Sequence, residues 1–132
     1  MGLLKMIPNP EMNQWAQKKA VEVVNSIPSQ DLILEAYLFG SAVDGVFTDD
    51  SDLDFVVVAK NEAAIKQLQK EVYSPRFTDI AVDWIFKTKD SFDERKDFGG
   101  VCFDAFHFGK KIKWLRQILK NVFIEKNMPR SS

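Results

Sequence analysis

The residues best suited to chemistry lie in one stretch of the chain. An apolar run ends at Leu38-Phe39-Gly40-Ser41, and after ten intervening residues Asp52-Leu53-Asp54 opens a second apolar run. Side chains two apart on a strand share a face, so Asp52 and Asp54 are predicted to project together, near the Gly-Ser turn. Glycine in such a turn lets backbone N–H groups approach an anionic phosphate closely. Paired carboxylates offer hard oxygen donors to a divalent cation. Taken alone, Asp52 and Asp54 are more often turn and strand-edge residues, and a third acid changes that balance. Asp83 stands inside the apolar stretch Ala81-Val82-Asp83-Trp84-Ile85, where an ionised group is costly unless something pairs with it. Two like charges about 4 Å apart repel by about 4 kcal/mol at an effective dielectric of about 20. Three clustered carboxylates therefore call for cations, and a pair of Mg²⁺ ions is the usual equipment for in-line displacement at phosphorus.

These groups need a scaffold, and the apolar periodicity supplies one. Asn9-Pro10 predicts a helix to about Ser26, with Trp15, Ala16, Ala20, Val23 and Val24 at helical spacing, ended by Pro28. Ser29 to Leu32 reads as a turn or helical start, and Glu35 to Phe39 as the first strand. A short helix is predicted just after Ser41, limited by Gly45 and Thr48. Leu53 to Ala59 reads as the second strand, its Val56-Val57-Val58 run marking a buried central position. Asn61 is the predicted N-cap of a helix through about Val72, with Ala64, Ile65, Leu68 and Val72 on one stripe. Ile80 to Phe86 alternates as a third strand. Ser91 and Glu94 form a capping box for a short helix, which Gly99-Gly100 interrupts. Val101 to Trp114 fits either a strand or a helix, and about Leu115 to Lys126 reads as the last helix. Neither a repeat nor a linker divides the chain, so residues 1–132 are expected to form a single α/β domain.

Bulk properties exclude several classes. A chain of 132 residues with eleven Phe can bury a core, which argues against disorder. Cys102 is the sole cysteine and cannot form an internal disulfide, which suits a reducing cytoplasm. Met1 to Pro10, interrupted by Lys5 and two prolines, reads as neither signal peptide nor membrane span. Charge is uneven: Ala105 to Ser132 holds seven Lys or Arg against Glu125 alone. A basic tail can meet nucleic acid or an acidic partner, but charge runs more often serve solubility. His107 lacks a nearby nucleophile pattern and is expected to be structural or exposed, while Cys102, Trp84 and Trp114 read as packing residues. Asp49 and Asp50 read as loop residues, Asp50 also as a supporting group behind the carboxylates.

Phe-Gly-Ser, ten residues and Asp-x-Asp, with a downstream strand aspartate, resemble the signature of the nucleotidyltransferase superfamily, which includes polymerase β and the aminoglycoside nucleotidyltransferases. Gly45 four places after Ser41, and Ser51 before Asp52, look like its minimal nucleotidyltransferase branch. The resemblance runs from about Glu35 to Phe86. It implies a palm-like α+β fold, a small mixed β-sheet flanked by helices. It also implies roles. Gly40 and Ser41 would hold the triphosphate of a nucleotide, with ATP as the expected donor. Asp52 and Asp54 would bind two Mg²⁺ ions, and Asp83 would bind the second and help deprotonate an attacking hydroxyl. The family often has basic residues just after Gly-Ser, where this chain has Ala42, Val43 and Asp44.

Larger superfamily members carry a second domain that presents the acceptor, and this chain has no room for one. Minimal nucleotidyltransferases are commonly paired with a small helical HEPN-domain ribonuclease, and the resemblance implies an antitoxin that moves AMP from ATP onto a tyrosine of that partner. Two readings stand beside it. One is adenylylation of a small hydroxyl compound such as an aminoglycoside, with a pocket completed by a homodimer. The other is a partner-binding antitoxin acting by contact alone, using the aromatic segment Phe98 to Phe108. Polymerisation on nucleic acid ranks last, because no duplex-gripping module is evident.

Overall fold

The computed structural model describes residues 10–48 and 50–112. The predicted helix at 115–126, Trp114, Asp49 and the first nine residues lie outside them. Pro10 occupies the first position of helix α1 (Pro10–Asn25), where a missing N–H has no cost. Ala16, Ala20, Val23 and Val24 form its buried stripe. Trp15, expected on that stripe, is instead 50 % exposed, because it sits about 100° around the helix from Ala16. A 3-10 turn at Gln30–Leu32 leads into β1 (Ile33–Phe39), which begins two residues before the predicted start. Next come a one-turn helix, α2 (Ser41–Asp44), then β2 (Leu53–Ala59) and α3 (Glu62–Val72). The limits of β2 and α3 match expectation, and the Asn61 side chain accepts the Ala64 N–H at 2.9 Å.

Two further boundaries differ from the sequence reading. Strand β3 is Val82–Thr88 rather than 80–86, since Lys87 and Thr88 pair with Val58 and Ala59. Backbone pairing carries the strand past its apolar residues. Helix α4 (Lys89–Arg95) is capped by Thr88, whose hydroxyl accepts the Ser91 N–H at 3.2 Å, and not by the Ser91-Glu94 box. The ambiguous segment resolves into helix α5 (Gly100–Phe108) followed by the two-residue strand β4 (Lys110–Lys111).

The sheet order is β3-β2-β1-β4, with β1 antiparallel to β2 and β4, and β2 parallel to β3. A parallel pair needs a crossover, and α3 provides it. Alternation then sorts the strands' side chains onto two covered faces. Ala36, Leu38, Leu53, Phe55, Val57 and Trp84 pack in one core with residues of α1 and α3. Tyr37, Val56 and Val58 pack on the other face with Phe92 of α4 and with Cys102 and Ala105 of α5. The fold is thus α/β, a four-stranded mixed sheet flanked by helices. Phe55 stacks on Trp84 at 4.9 Å between ring centroids. Truncating such a fully buried ring costs about 3–5 kcal/mol. Among the described residues no helix is long and apolar enough to cross a membrane.

On the α4–α5 face, Glu35 of β1 gathers a polar clamp. It accepts hydrogen bonds from Lys89 Nζ at 2.6 Å and from the Tyr37 hydroxyl at 2.5 Å, with Lys111 Nζ 3.4 Å away. Burial pushes the Glu35 carboxyl up, but the bonds from Lys89 and Tyr37 and the nearby lysine charges outweigh it, leaving it below the usual glutamate value. The clamp ties β1, β4 and the start of α4 together at the end of the sheet opposite Asp54 and Asp83.

Candidate active site

Three backbone features set the position of Gly40. Strand β1 ends at Phe39, opposite Asp54 of β2. Gly40 then turns at φ +79 and ψ −149, a conformation that favours glycine. The turn also brings it against a carboxylate: a Cβ at this position would overlap Asp54 Oδ2 and lie 3.3 Å from Asp54 Cγ. Helix α2 starts at Ser41 and stops after one turn, where Gly45, at φ +88, donates its N–H to the Ser41 carbonyl at 3.1 Å. Gln17 of α1 holds α2 from outside, donating to the Ala42 carbonyl at 3.1 Å, while Lys110 Nζ donates to Gln17 Oε1 at 2.9 Å. The Gly-Ser turn is therefore fixed between β1, α1 and β4.

The carboxylates are positioned by the β2–β3 register. Asp54 lies directly beside Asp83 on parallel neighbouring strands, so the two share a face. A turn at Thr48 to Ser51 delivers Asp52, with the Thr48 N–H donating to Ser51 Oγ at 3.0 Å and the Ser51 N–H to the Thr48 carbonyl at 3.0 Å. The Leu53 N–H bonds the Ala81 carbonyl at 3.0 Å, closing the gap between β2 and the approach to β3. Burial first, then the charges of Asp83 and Asp52, push the Asp54 carboxyl above the usual aspartate range. Asp54 thus lies within electrostatic reach of both Asp83 and Asp52. Asp83 itself is exposed, contrary to the expectation of a buried acid, because the strand meets solvent at this end of the sheet. The repulsion among the acids remains, but the desolvation of Asp83 does not.

Two clefts flank this array. One of about 380 Å³ is lined by Phe39, Gly40, Asp44, Asp104 and Phe108. The other, about 660 Å³, lies between the start of α1, residues 47, 48 and 50–52, and residues 79–81, and Asp52 lines it. Sequence reasoning missed the second cleft. Its wall includes Trp15, which helical spacing had assigned to the core, and Asp79, which carries no motif. The signal for Trp15 was its offset by one residue from the Ala16-Ala20-Val23 stripe.

The donors fit a hard divalent cation in chemistry, since Asp52, Asp54 and Asp83 offer only carboxylate oxygens. Among the described residues no group of three or more His, Cys, Asp or Glu is drawn together tightly enough to hold an ion unaided. His107 is exposed, as expected, with its Nε2 3.2 Å from Asp97 Oδ1. Cys102 is buried core, also as expected.

A family model, the nucleotidyltransferase domain, matches residues 18–121. Among solved structures, a candidate nucleotidyltransferase from Sulfolobus solfataricus is similar at 30 % identity, over 64 % of this chain and 77 % of that one, with a TM-score of 0.49. No curated protein matches the chain significantly.

Proposed function

The chain belongs to the nucleotidyltransferase domain family, and on that premise we propose that it moves AMP from ATP onto a tyrosine hydroxyl of a partner protein, as the antitoxin of a small helical HEPN-type toxin. The observation that carries the transfer chemistry is the contact of Gly40 with Asp54, itself in register with Asp83. That closeness supports reading the turn as the phosphate site and the acids as the holders of its counter-ions. In this reading the backbone at Gly40-Ser41 and the Ser41 hydroxyl hold the triphosphate. Asp52 and Asp54 would hold the divalent cations, with Asp83 on the second. Bound Mg²⁺ supplies charge neutralisation at the phosphates and lowers the pKa of the attacking hydroxyl. Asp83 accepts the hydroxyl proton, the hydroxyl oxygen bonds to the α-phosphorus, and the bond to pyrophosphate breaks. Alignment and electrostatics carry the rate.

Labelled ATP, Mg²⁺ and the product of the neighbouring gene provide the test. Label on the partner's tyrosine, lost in Asp52→Ala/Asp54→Ala, is the expected result. No label, with wild type and double variant alike, overturns the proposal. A contact-only antitoxin is the second reading, favoured by the exposure of Phe98 (84 %) and Phe108 (65 %) around α5. Neutralisation of the partner that persists in Asp83→Ala would select it.

A further inference from the structure

We propose that the outer edge of β3 is a homodimer interface: two copies pair antiparallel about Ile85, and the partner's Lys87 lands beside Asp83 in each candidate site. The inference names a second copy of this chain as a partner and stands apart from the transfer reading above.

The edge itself is the first argument. The order β3-β2-β1-β4 leaves β3 paired on one side along all of Val82–Thr88, and among the described residues no strand pairs with its other side. Alternate residues there present N–H and C=O groups outward, a template for another strand. Burial agrees. Val56 and Val57 of β2 are fully buried, whereas Ile85 and Phe86, their neighbours in register, stay partly exposed.

The order of residues along β3 is the second. An antiparallel pair of identical strands has its two-fold axis perpendicular to the sheet, so directly opposed side chains share a face. With Ile85 on the axis, Asp83 opposes the partner's Lys87, Trp84 opposes the partner's Phe86, and Val82 opposes the partner's Thr88. Opposite charges and aromatic pairs stabilise when directly opposed, and like charges do the reverse. Moving the axis by one residue sets Asp83 or Lys87 against Ile85. Trp84 already stacks on Phe55 at 4.9 Å and on Phe86 at 6.1 Å between centroids, so the partner's Phe86 extends an aromatic row.

Charge supplies the third. A lysine on an edge strand ordinarily prevents pairing. Here Asp83 is exposed and Lys87 partly exposed on one face, and among the described residues neither forms an ion pair. Each stands two residues from Ile85, so a second copy meets each with the opposite charge. The dimer also carries both candidate sites on one face of a continuous sheet, their Asp83 residues about 13 Å apart along the strands. Each Asp54–Asp83 pair gains an ammonium from the other copy.

Sedimentation equilibrium of the full chain reads association, and charge exchange tests the register. Wild type should be a dimer at micromolar concentration. Lys87→Asp and Asp83→Lys each oppose like charges twice per dimer, and each should weaken association about tenfold or more. Asp83→Lys/Lys87→Asp restores opposite charges and should recover wild-type association to within about threefold, which a folding defect would not. Cys102 is buried, so an introduced thiol is the reactive one. Ile85→Cys, treated with a short bismaleimide, should link to itself, and Thr88→Cys, opposed by the partner's Val82, should not. A monomeric wild type, single variants that dimerise normally, a double variant as weak as the singles, or linkage at Thr88→Cys as fast as at Ile85→Cys overturns the proposal. Mass and cross-linking are read without nucleotide, so failure of the transfer reading shows separately, as loss of Mg·ATP binding by the wild type.

Discussion

Replacing Gly40 with alanine probes the coupling between the turn and the carboxylates. At φ +79 and ψ −149 a side chain costs about 1–3 kcal/mol of backbone strain. The new Cβ would also overlap Asp54 Oδ2, with Cγ only 3.3 Å away. The carboxylate is the movable partner, and driving it off its rotamer adds about 0.5–1.5 kcal/mol. Gly40→Ala should therefore lose about 2–4 kcal/mol, or on the order of 10 °C in Tm. Gly99 is the internal control: its φ is +87, yet nothing lies within 4 Å of a Cβ there, so Gly99→Ala carries the strain without the collision. Thermal unfolding and calorimetric titration with Mg·ATP separate the two. Both variants should lose stability, but only Gly40→Ala should lose nucleotide affinity, by about tenfold or more. In an Asp54→Ala background the excess cost of Gly40→Ala over Gly99→Ala should disappear, as coupled neighbours require. Wild-type affinity in Gly40→Ala, or the same excess cost without the Asp54 carboxylate, would refute the reasoning.

Asp54 must be ionised to hold a cation, and its pKa is raised by burial and then by Asp83 and Asp52, so Mg·ATP affinity should fall with acidification earlier than for an ordinary aspartate. Asp83→Asn should move that fall to lower pH, and an unmoved midpoint counts against the coupling. Glu35 has a lowered pKa, so its clamp adds stability that is full above the ordinary glutamate value and is lost as pH falls through the folded value. Glu35→Gln should reduce stability at neutral pH by about 2 kcal/mol and flatten the acid side of the urea-unfolding profile. Asn61→Ala should cost about 1 kcal/mol by removing the cap on α3, and Asn61→Asp should restore most of it in thermal melts.

Elements whose limits are written in side chains were legible in the sequence. Strand β2 carries its burial in five consecutive apolar residues, Phe55 to Ala59, and α3 carries its cap in Asn61, so both were placed correctly. Elements whose limits depend on partners were not. Lys87 and Thr88 join β3 because β2 runs beside them, and Thr88 caps α4 because the strand ends there in an extended conformation. The same division holds at the site. Gly40, Ser41, Asp52 and Asp54 were named as candidates from their spacing and Asp83 from its place in an apolar strand, and the register brings Asp54 beside Asp83. The exposure of Asp83 and the half-exposed Trp15 were hidden, since each follows from where the sheet ends and which way α1 rolls on it.

The segment after the Gly-Ser turn acquires a physical meaning from the packing. Ala42 is fully buried and its carbonyl is held by Gln17, so a basic side chain there would be driven into the interface with α1. Val43 packs partly against the same core. Only Asp44 is exposed, and it lines the cleft beside Gly40 together with Asp104. The helix that would face a triphosphate thus offers backbone amides and an acid, and no cation of its own. The ammonium tied to it, Lys110, comes from β4 and is engaged with Gln17. A nucleotide entering this cleft meets Asp44 and Asp104, with Asp54 adjoining Gly40, so its phosphates must arrive already neutralised. Free ATP should consequently bind far more weakly than Mg·ATP, by about 10²-fold or more at low ionic strength, and Asp44→Asn should narrow that ratio by raising the affinity of the metal-free nucleotide. Calorimetry with and without chelator reads both. Equal affinity for the two forms would mean that positive charge reaches the phosphates from elsewhere in the chain.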